Sequence, residues 1–312
     1  MQRPDRTQSA VQRGRQNCAT FVSAGRCWRA AVSVQKFALA KGGRRILGAG
    51  SEQLVQCHAR VFAGLAGHTA RRVAHVRDDE RPRWQDVFQR GVDILWAQMC
   101  LAANASEVWL WTQDMYGRQR QYLGGGHGFV GNMFPIIRGA SLLPSAQVDA
   151  FVDRALRVLN VTAMNDGNMS NWDGLFDAAS IGLPARPLLQ DCHGAPGIIS
   201  RLAESKSSEL RALLLRSGAL VWAAGPLSKS AGLCHGTAGN GFALLKLHIM
   251  TNDPKWLGYA RAFAMHALAQ CASQWVEHGQ RRYSLWTGDL GVALIAAACI
   301  NGDDAFPTLD VI

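Results

Sequence analysis

Two triplets carry the chemistry that this sequence offers. Cys192-His193-Gly194 and Cys234-His235-Gly236 are the same three residues, 42 positions apart, and each is followed by two residues and another glycine: DCHGAPG and LCHGTAG. Thiolate and imidazole are the ligands that a tetrahedral zinc prefers, and a catalytic zinc keeps one position open. Cys234 and His235 are neighbours in the chain, so both reach one metal only from a bent, non-helical turn, which the flanking glycines permit. With Cys192 from the preceding turn they make three protein ligands. The fourth position is left for water or a substrate thiol. A zinc-bound thiol is deprotonated near neutral pH and becomes a nucleophile. Against this stands a plainer reading: cysteine is among the most buried residue types, and the triplets can be small-residue packing at turns.

A histidine in a third glycine-rich turn, His127 in GGGHG, has the chemistry of a general acid or base or of a structural hydrogen-bonding group. His193 is expected to point outward or to cap its turn.

The elements that must position these residues follow from a repeat. GGGHGFVGNMF (124–134), DCHGAPGIISRL (191–202), LCHGTAGNGFALL (233–245) and LWTGDLGVALI (285–295) share a glycine, two residues and a second glycine before an apolar helix. The first glycines are Gly128, Gly194, Gly236 and Gly288, spaced by 66, 42 and 52 residues. Each unit has room for two helices and their connections, the signature of stacked helical hairpins. Hairpins of this size close into a solenoid or a ring. In a ring, the turns at one end converge. Apolar periodicity predicts helices over 87–104, 146–161, 207–223, 238–250, 255–276 and 290–300, and a further one over 21–40. In 146–161 the stripe reads Val148, Phe151, Val152, Ala155, Leu156 and Leu159. The helix over 207–223 opens on a serine cap. Strand alternation is rare, so the chain reads as all-α. The composition shifts near residue 95, which separates a basic, poorly patterned segment (1–94) from a helical domain (95–312).

Hydrophobic residues form 48% of the 312 and charged residues 18%, which excludes a disordered chain. The net charge of +10 has one source: residues 1–95 hold 17 Lys and Arg against 7 Asp and Glu, and the remainder holds 16 of each. The basic segment has no aromatic interleaving and no recognition motif, so specific nucleic-acid binding is not expected. No apolar run is long enough to span a bilayer. Eight dispersed cysteines without a secretory signal fit free thiols or metal ligation in a reducing compartment, hence a cytoplasmic protein. Cys271 and Cys299 fall inside apolar helices and read as core thiols. Cys18, Cys27 and Cys57 fit no metal spacing.

Taken together, YLGGGHGFVGNMF, DCHGAPGI, GLCHGTAGNGFALLKL, YSLWTGDLGVAL and AFPTLD resemble the lanthionine synthetase C-like family over roughly residues 95–312. The combination is specific, although no single piece is. The resemblance implies an α/α toroid of helical hairpins with zinc at the mouth of the ring. It implies Cys192, Cys234 and His235 as zinc ligands and His127 in proton transfer. It implies a thiol that adds to the β-carbon of dehydroalanine or dehydrobutyrine to give a thioether. The partners are then a dehydroamino-acid-bearing peptide or protein and the thiol of a peptide cysteine or of glutathione. The CHGAPG and CHGTAGNG spellings are closer to eukaryotic-like members, for which glutathione addition is the implied reaction.

The chain also departs from the family pattern. Four of the seven usual hairpin motifs are visible, which makes a ring of about four to five repeats. The early repeats and their aspartate have no counterpart in residues 1–94. The tryptophan usual before the first zinc cysteine is Asp191. An acid there raises the thiol pKa and weakens the site unless it points away. A zinc-binding scaffold without catalysis is therefore the alternative function. A helical-ring glycosidase ranks below both, because it needs two carboxylates where these turns offer Cys and His. Three lesser features are expected to be bland: DGNMSNWDGLFD (166–177) as a solvated loop rather than a calcium loop, Arg281 and Arg282 as a surface pair rather than an anion contact, and Trp222 and Trp286 as packing residues.

Overall fold

The computed structural model describes residues 81–310 apart from 103–104, 116, 177–186 and 308. The helix expected over 21–40 and the three N-terminal cysteines lie outside the described residues. The described chain is mostly helical, as the periodicity requires: α1 Arg81–Ala97, α2 Phe129–Arg138, α3 Ser145–Thr162, α4 Ala195–Leu202, α5 Ser208–Ala224, α6 Thr237–Thr251, α7 Pro254–His278 and α8 Asp289–Asn301. Three short antiparallel ribbons interrupt it: β1 Cys100–Leu101 with β2 Trp109–Leu110, β3 Gln113–Met115 with β4 Arg118–Arg120, and β5 Met164–Asp166 with β6 Met169–Asn171. Their strands are two or three residues long, too short for alternation to show in the sequence. No helix among the described residues is long and apolar enough to cross a membrane. The chain divides into two compact units between Leu215 and Arg216, inside α5.

In the first unit, α2 packs on α3 and α4. Phe88, Val92 and Leu95 form the buried face of α1, at i, i+4 and i+7. This helix runs through residues 94 and 95, so the composition shift falls inside an element. It also ends earlier than residue 104. The Trp111 indole donates to the Leu95 carbonyl at 2.8 Å, satisfying a helix-end acceptor, and residues 100–101 leave as a strand. The buried stripe of α3 is Phe151, Ala155, Val158 and Leu159; Val148, Val152 and Leu156 flank it. The segment 166–177 is no simple solvated loop. Gly167 turns it at φ +56°, and Trp172 is buried with its indole donating to the Leu159 carbonyl.

In the second unit, α6 is the central element. All of its residues from Thr237 to Leu247 are buried, and it packs on both α7 and α8. A helix that is buried all round has no solvated stripe to give it a periodic pattern. Its one cation in that run, Lys246, pairs with Asp310 at 2.8 Å and Asp304 at 3.3 Å, which ties the C-terminal AFPTLD segment down onto α6. Local signals set the ends of the helices. Ser207 Oγ accepts from the Leu210 amide, as expected of the cap of α5. Asp253 caps α7 ahead of Pro254, and Gly279 closes it at φ +66°. Trp222 stacks on Tyr259 at 3.7 Å, a packing role as expected.

Candidate functional site

The glycine turns repeat in geometry as well as in sequence. Gly128, Gly236 and Gly288 precede α2, α6 and α8 with nearly the same extended backbone: φ −141°, −135° and −132°, ψ −165°, −176° and −162°. In the first of these turns the amides of Phe129, Val130 and Gly131 donate to the carbonyls seven residues back, Tyr122, Leu123 and Gly124. Thr237, Ala238 and Gly239 do the same to Ser230, Ala231 and Gly232. The loop thus folds back over the helix N-terminus and satisfies amides that have no intrahelical partner.

The turn at Gly194 differs. Its φ is +99°, a conformation open only to glycine, and a Cβ there would strike the Leu188 carbonyl. The first amide of α4, Ala195, donates instead to Asn171 Oδ1 at 2.9 Å, while Asn171 Nδ2 donates to Leu188 O. The ribbon end at Asn171 therefore caps the turn that carries Cys192. Nothing in the sequence pattern assigns Asn171 that task.

In two pairs of adjacent turns, one in each unit, the residue two before the helix-capping glycine donates its amide to the same position of the next turn. Gly126 N–H bonds Cys192 O at 3.2 Å in the first unit, and Cys234 N–H bonds Trp286 O at 2.8 Å in the second. The triple glycine of GGGHG is what lets the first pair nest. A Cβ on Gly125 would lie 2.9 Å from the Gly197 carbonyl oxygen and 3.1 Å from that of Asp191.

In the first unit, Cys192 is buried and His127 half-buried. The rings of His127 and His193 meet edge to face at 4.7 Å, with Tyr122 at 5.3 Å from His127 and 6.2 Å from His193. His193 does not point outward: its ring packs on His127 and on Gly174, whose Cβ would lie 3.1 Å from Nδ1. Asp191 is buried, and its carboxylate turns to the equally buried Arg201 guanidinium, with Nη2 to Oδ2 at 2.8 Å. The acid beside Cys192 is thus neutralised by α4. Gln190, which the sequence reading did not single out, donates its side-chain amide to Cys192 Sγ at 3.0 Å.

In the second unit, Cys234 is half-buried, His235 is exposed, and Cys234 Sγ lies 3.5 Å from His235 Nε2. A tetrahedral zinc with sulfur at about 2.3 Å and nitrogen at about 2.05 Å spans a sulfur–nitrogen edge of about 3.6 Å. The two neighbours thus have a separation that two ligands of one ion would have, with Nε2 the ring nitrogen that faces the sulfur. The donor set fits zinc.

The other described cysteines of this unit are unlike these. Burial pushes the Cys271 thiol up to about 12, with the Asp289 charge adding to the shift, and burial pushes Cys299 to about 12. Both are the core thiols expected. Arg281 stacks over Trp275 at 4.9 Å and approaches Asp289 at 3.6 Å. Arg281, Arg282, His278 and Tyr283 line a cavity of about 440 Å³.

Residues 85–311 match the family model described as lanthionine synthetase C-like protein. The chain is 30% identical over 202 residues to the glutathione S-transferase LANCL1 of Danio rerio, covering 62% of this chain and 47% of that one. It is 33% identical over 144 residues to the LanC-like protein GCL1 of Arabidopsis thaliana, covering 42% of this chain and 32% of the relative. The chain thus spans less than half the length of either relative. The family match takes in all four glycine turns with the residues that they carry, and the chain belongs to the lanthionine synthetase C-like family.

Proposed function

We propose that the protein adds a thiol, from glutathione or a peptide cysteine, to dehydroalanine or dehydrobutyrine in a peptide or protein, with Zn2+ held by Cys192, Cys234 and His235. The observation that carries this reading is the 3.5 Å spacing of Cys234 Sγ and His235 Nε2, which suits two ligands of one zinc. Cys192 is the third donor, buried and already hydrogen-bonded at sulfur. The name of the zebrafish relative, a glutathione S-transferase, supports glutathione as the thiol. Zinc bound there lowers the pKa of a coordinated thiol and offers it as thiolate.

This chain's own residues supply the rest. Addition forms a sulfur–carbon bond at the β-carbon, breaks the carbon–carbon π bond and leaves an enolate that takes a proton at the α-carbon. His127 delivers that proton. Its ring is held between Tyr122 and His193 rather than free in solvent, which fixes the direction from which the proton comes. The reaction belongs in a reducing compartment such as the cytoplasm, and closure of the hairpins into a ring is part of the same proposal.

The test is to incubate the purified chain with zinc, glutathione and a dehydroalanine peptide and to follow the peptide by mass spectrometry. The expected product is the peptide plus one whole glutathione, faster than the spontaneous reaction, with the rate lost in Cys234→Ala and strongly reduced in His127→Asn. Zinc bound without accelerated addition would leave a metal-binding scaffold and refute the catalytic reading.

A further inference from the structure

The residue before Asp191 has a task that neither the triplet nor the repeat explains. Gln190 is 3% exposed. Its backbone amide donates to the His193 carbonyl at 3.1 Å, which closes the Cys192 turn, and its side-chain Nε2 lies 3.0 Å from Cys192 Sγ. A thiol sulfur is a weak acceptor, whereas a thiolate is a strong one. The buried amide is aimed at sulfur and fixes the side-chain direction of Cys192. Asp191, the acid nearest in sequence, is turned to Arg201 and satisfied there.

We infer that Gln190 is a positioning residue for the metal centre: its buried amide, hydrogen-bonded to sulfur, orients Cys192 as a ligand. This rests on the zinc reading above. Partners of this kind, one step out from the ligands, commonly change metal affinity by about 10–100-fold when removed.

Gln190→Met keeps the volume and removes the donor. Gln190→Glu keeps the shape and sets a carboxylate against the sulfur. The experiment measures zinc affinity of the full-length parent, both variants and Cys234→Ala by competition with a chromophoric chelator, and then records the sulfur-to-cobalt charge-transfer band after Co2+ replaces zinc. Gln190→Met is expected to bind zinc about 10–100-fold more weakly, and Gln190→Glu more weakly still. The charge-transfer band of Gln190→Met is expected to move to longer wavelength, because a sulfur that loses a hydrogen bond gives up its electron more easily. Loss of packing alone gives no reason for that direction. Parent-like affinity and an unmoved band in both variants, with zinc lost in Cys234→Ala, overturn the role of Gln190 and leave the zinc reading standing. Should Gln190→Met fail to fold, Gln190→Glu decides the matter by the same two readouts. Absence of zinc binding in the folded parent overturns both.

Discussion

The buried pair beneath the Cys192 turn gives the sharpest energetic prediction. Asp191 and Arg201 have side chains 1% and 2% exposed, so water screens neither, and they meet through two parallel hydrogen bonds. Replacing Arg201 by Met leaves the carboxylate buried without its partner. Removing one member of such a pair costs about 3–5 kcal/mol. Replacing both members by apolar residues of similar size is often neutral, or stabilising by about 1–4 kcal/mol. The structure therefore predicts a cycle that does not add: Arg201→Met loses about 3–5 kcal/mol, Asp191→Leu loses a comparable amount by stranding the guanidinium, and the double variant recovers most of the loss. Urea denaturation at pH 7 of the four proteins gives the coupling directly. Single variants within about 0.5 kcal/mol of the parent, the range of an ordinary surface change, would refute the claim that this pair holds the turn. So would a double variant that loses the sum of the two.

Three further outcomes follow from the same structure. Gly125→Ala puts a Cβ 2.9 Å from the Gly197 carbonyl oxygen, with backbone on both sides and no side chain to yield. It should cost about 1–3 kcal/mol and weaken zinc retention, and a parent-like urea midpoint and zinc content would count against the nesting of the two turns. Lys246→Met removes the cation from Asp310, which keeps its bond from the Phe306 amide, and should cost up to about 3–5 kcal/mol, with faster proteolysis after residue 302; unchanged stability and proteolysis would contradict the anchoring role of the pair. Cys271 and Cys299 both have folded pKa values raised to about 12 against an ordinary 9.0. The unfolded chain releases these protons first, so the stability they contribute is complete below pH 9 and falls as pH rises towards 12. Urea midpoints measured from pH 8 to 10.5 should decline, less steeply in Cys271→Ala, and a flat profile would oppose the burial of these thiols.

Much of the helical framework was legible because its signals are local. The glycine turns announce their helices through residues that sit together in sequence, and Ser207 and Asp253 cap theirs within three residues. The elements that escaped are made by partners far along the chain. The end of α1 depends on an indole 16 residues after the carbonyl that it caps. The ribbon at 164–171 shows no alternation in three-residue strands, yet Asn171 crosses to cap the turn of Cys192 from 24 residues away. For the site, chemistry nominated Cys192, Cys234, His235 and His127 because few residue types can do that work. It did not nominate Gln190, since an amide has no reactivity to draw notice. Asp191 looked damaging beside a thiolate until Arg201, one arginine in the apolar run of α4, proved to be its partner.

The central claim is that one zinc is held by two sulfurs and one imidazole of this chain. X-ray absorption at the zinc edge of the purified, zinc-loaded protein tests it most directly. The account predicts two sulfur scatterers at about 2.3 Å and imidazole nitrogen at about 2.0–2.1 Å, with the sulfur count falling from two to one in Cys192→Ala. A shell of nitrogen and oxygen alone, or a sulfur count that Cys192→Ala leaves unchanged, would contradict it.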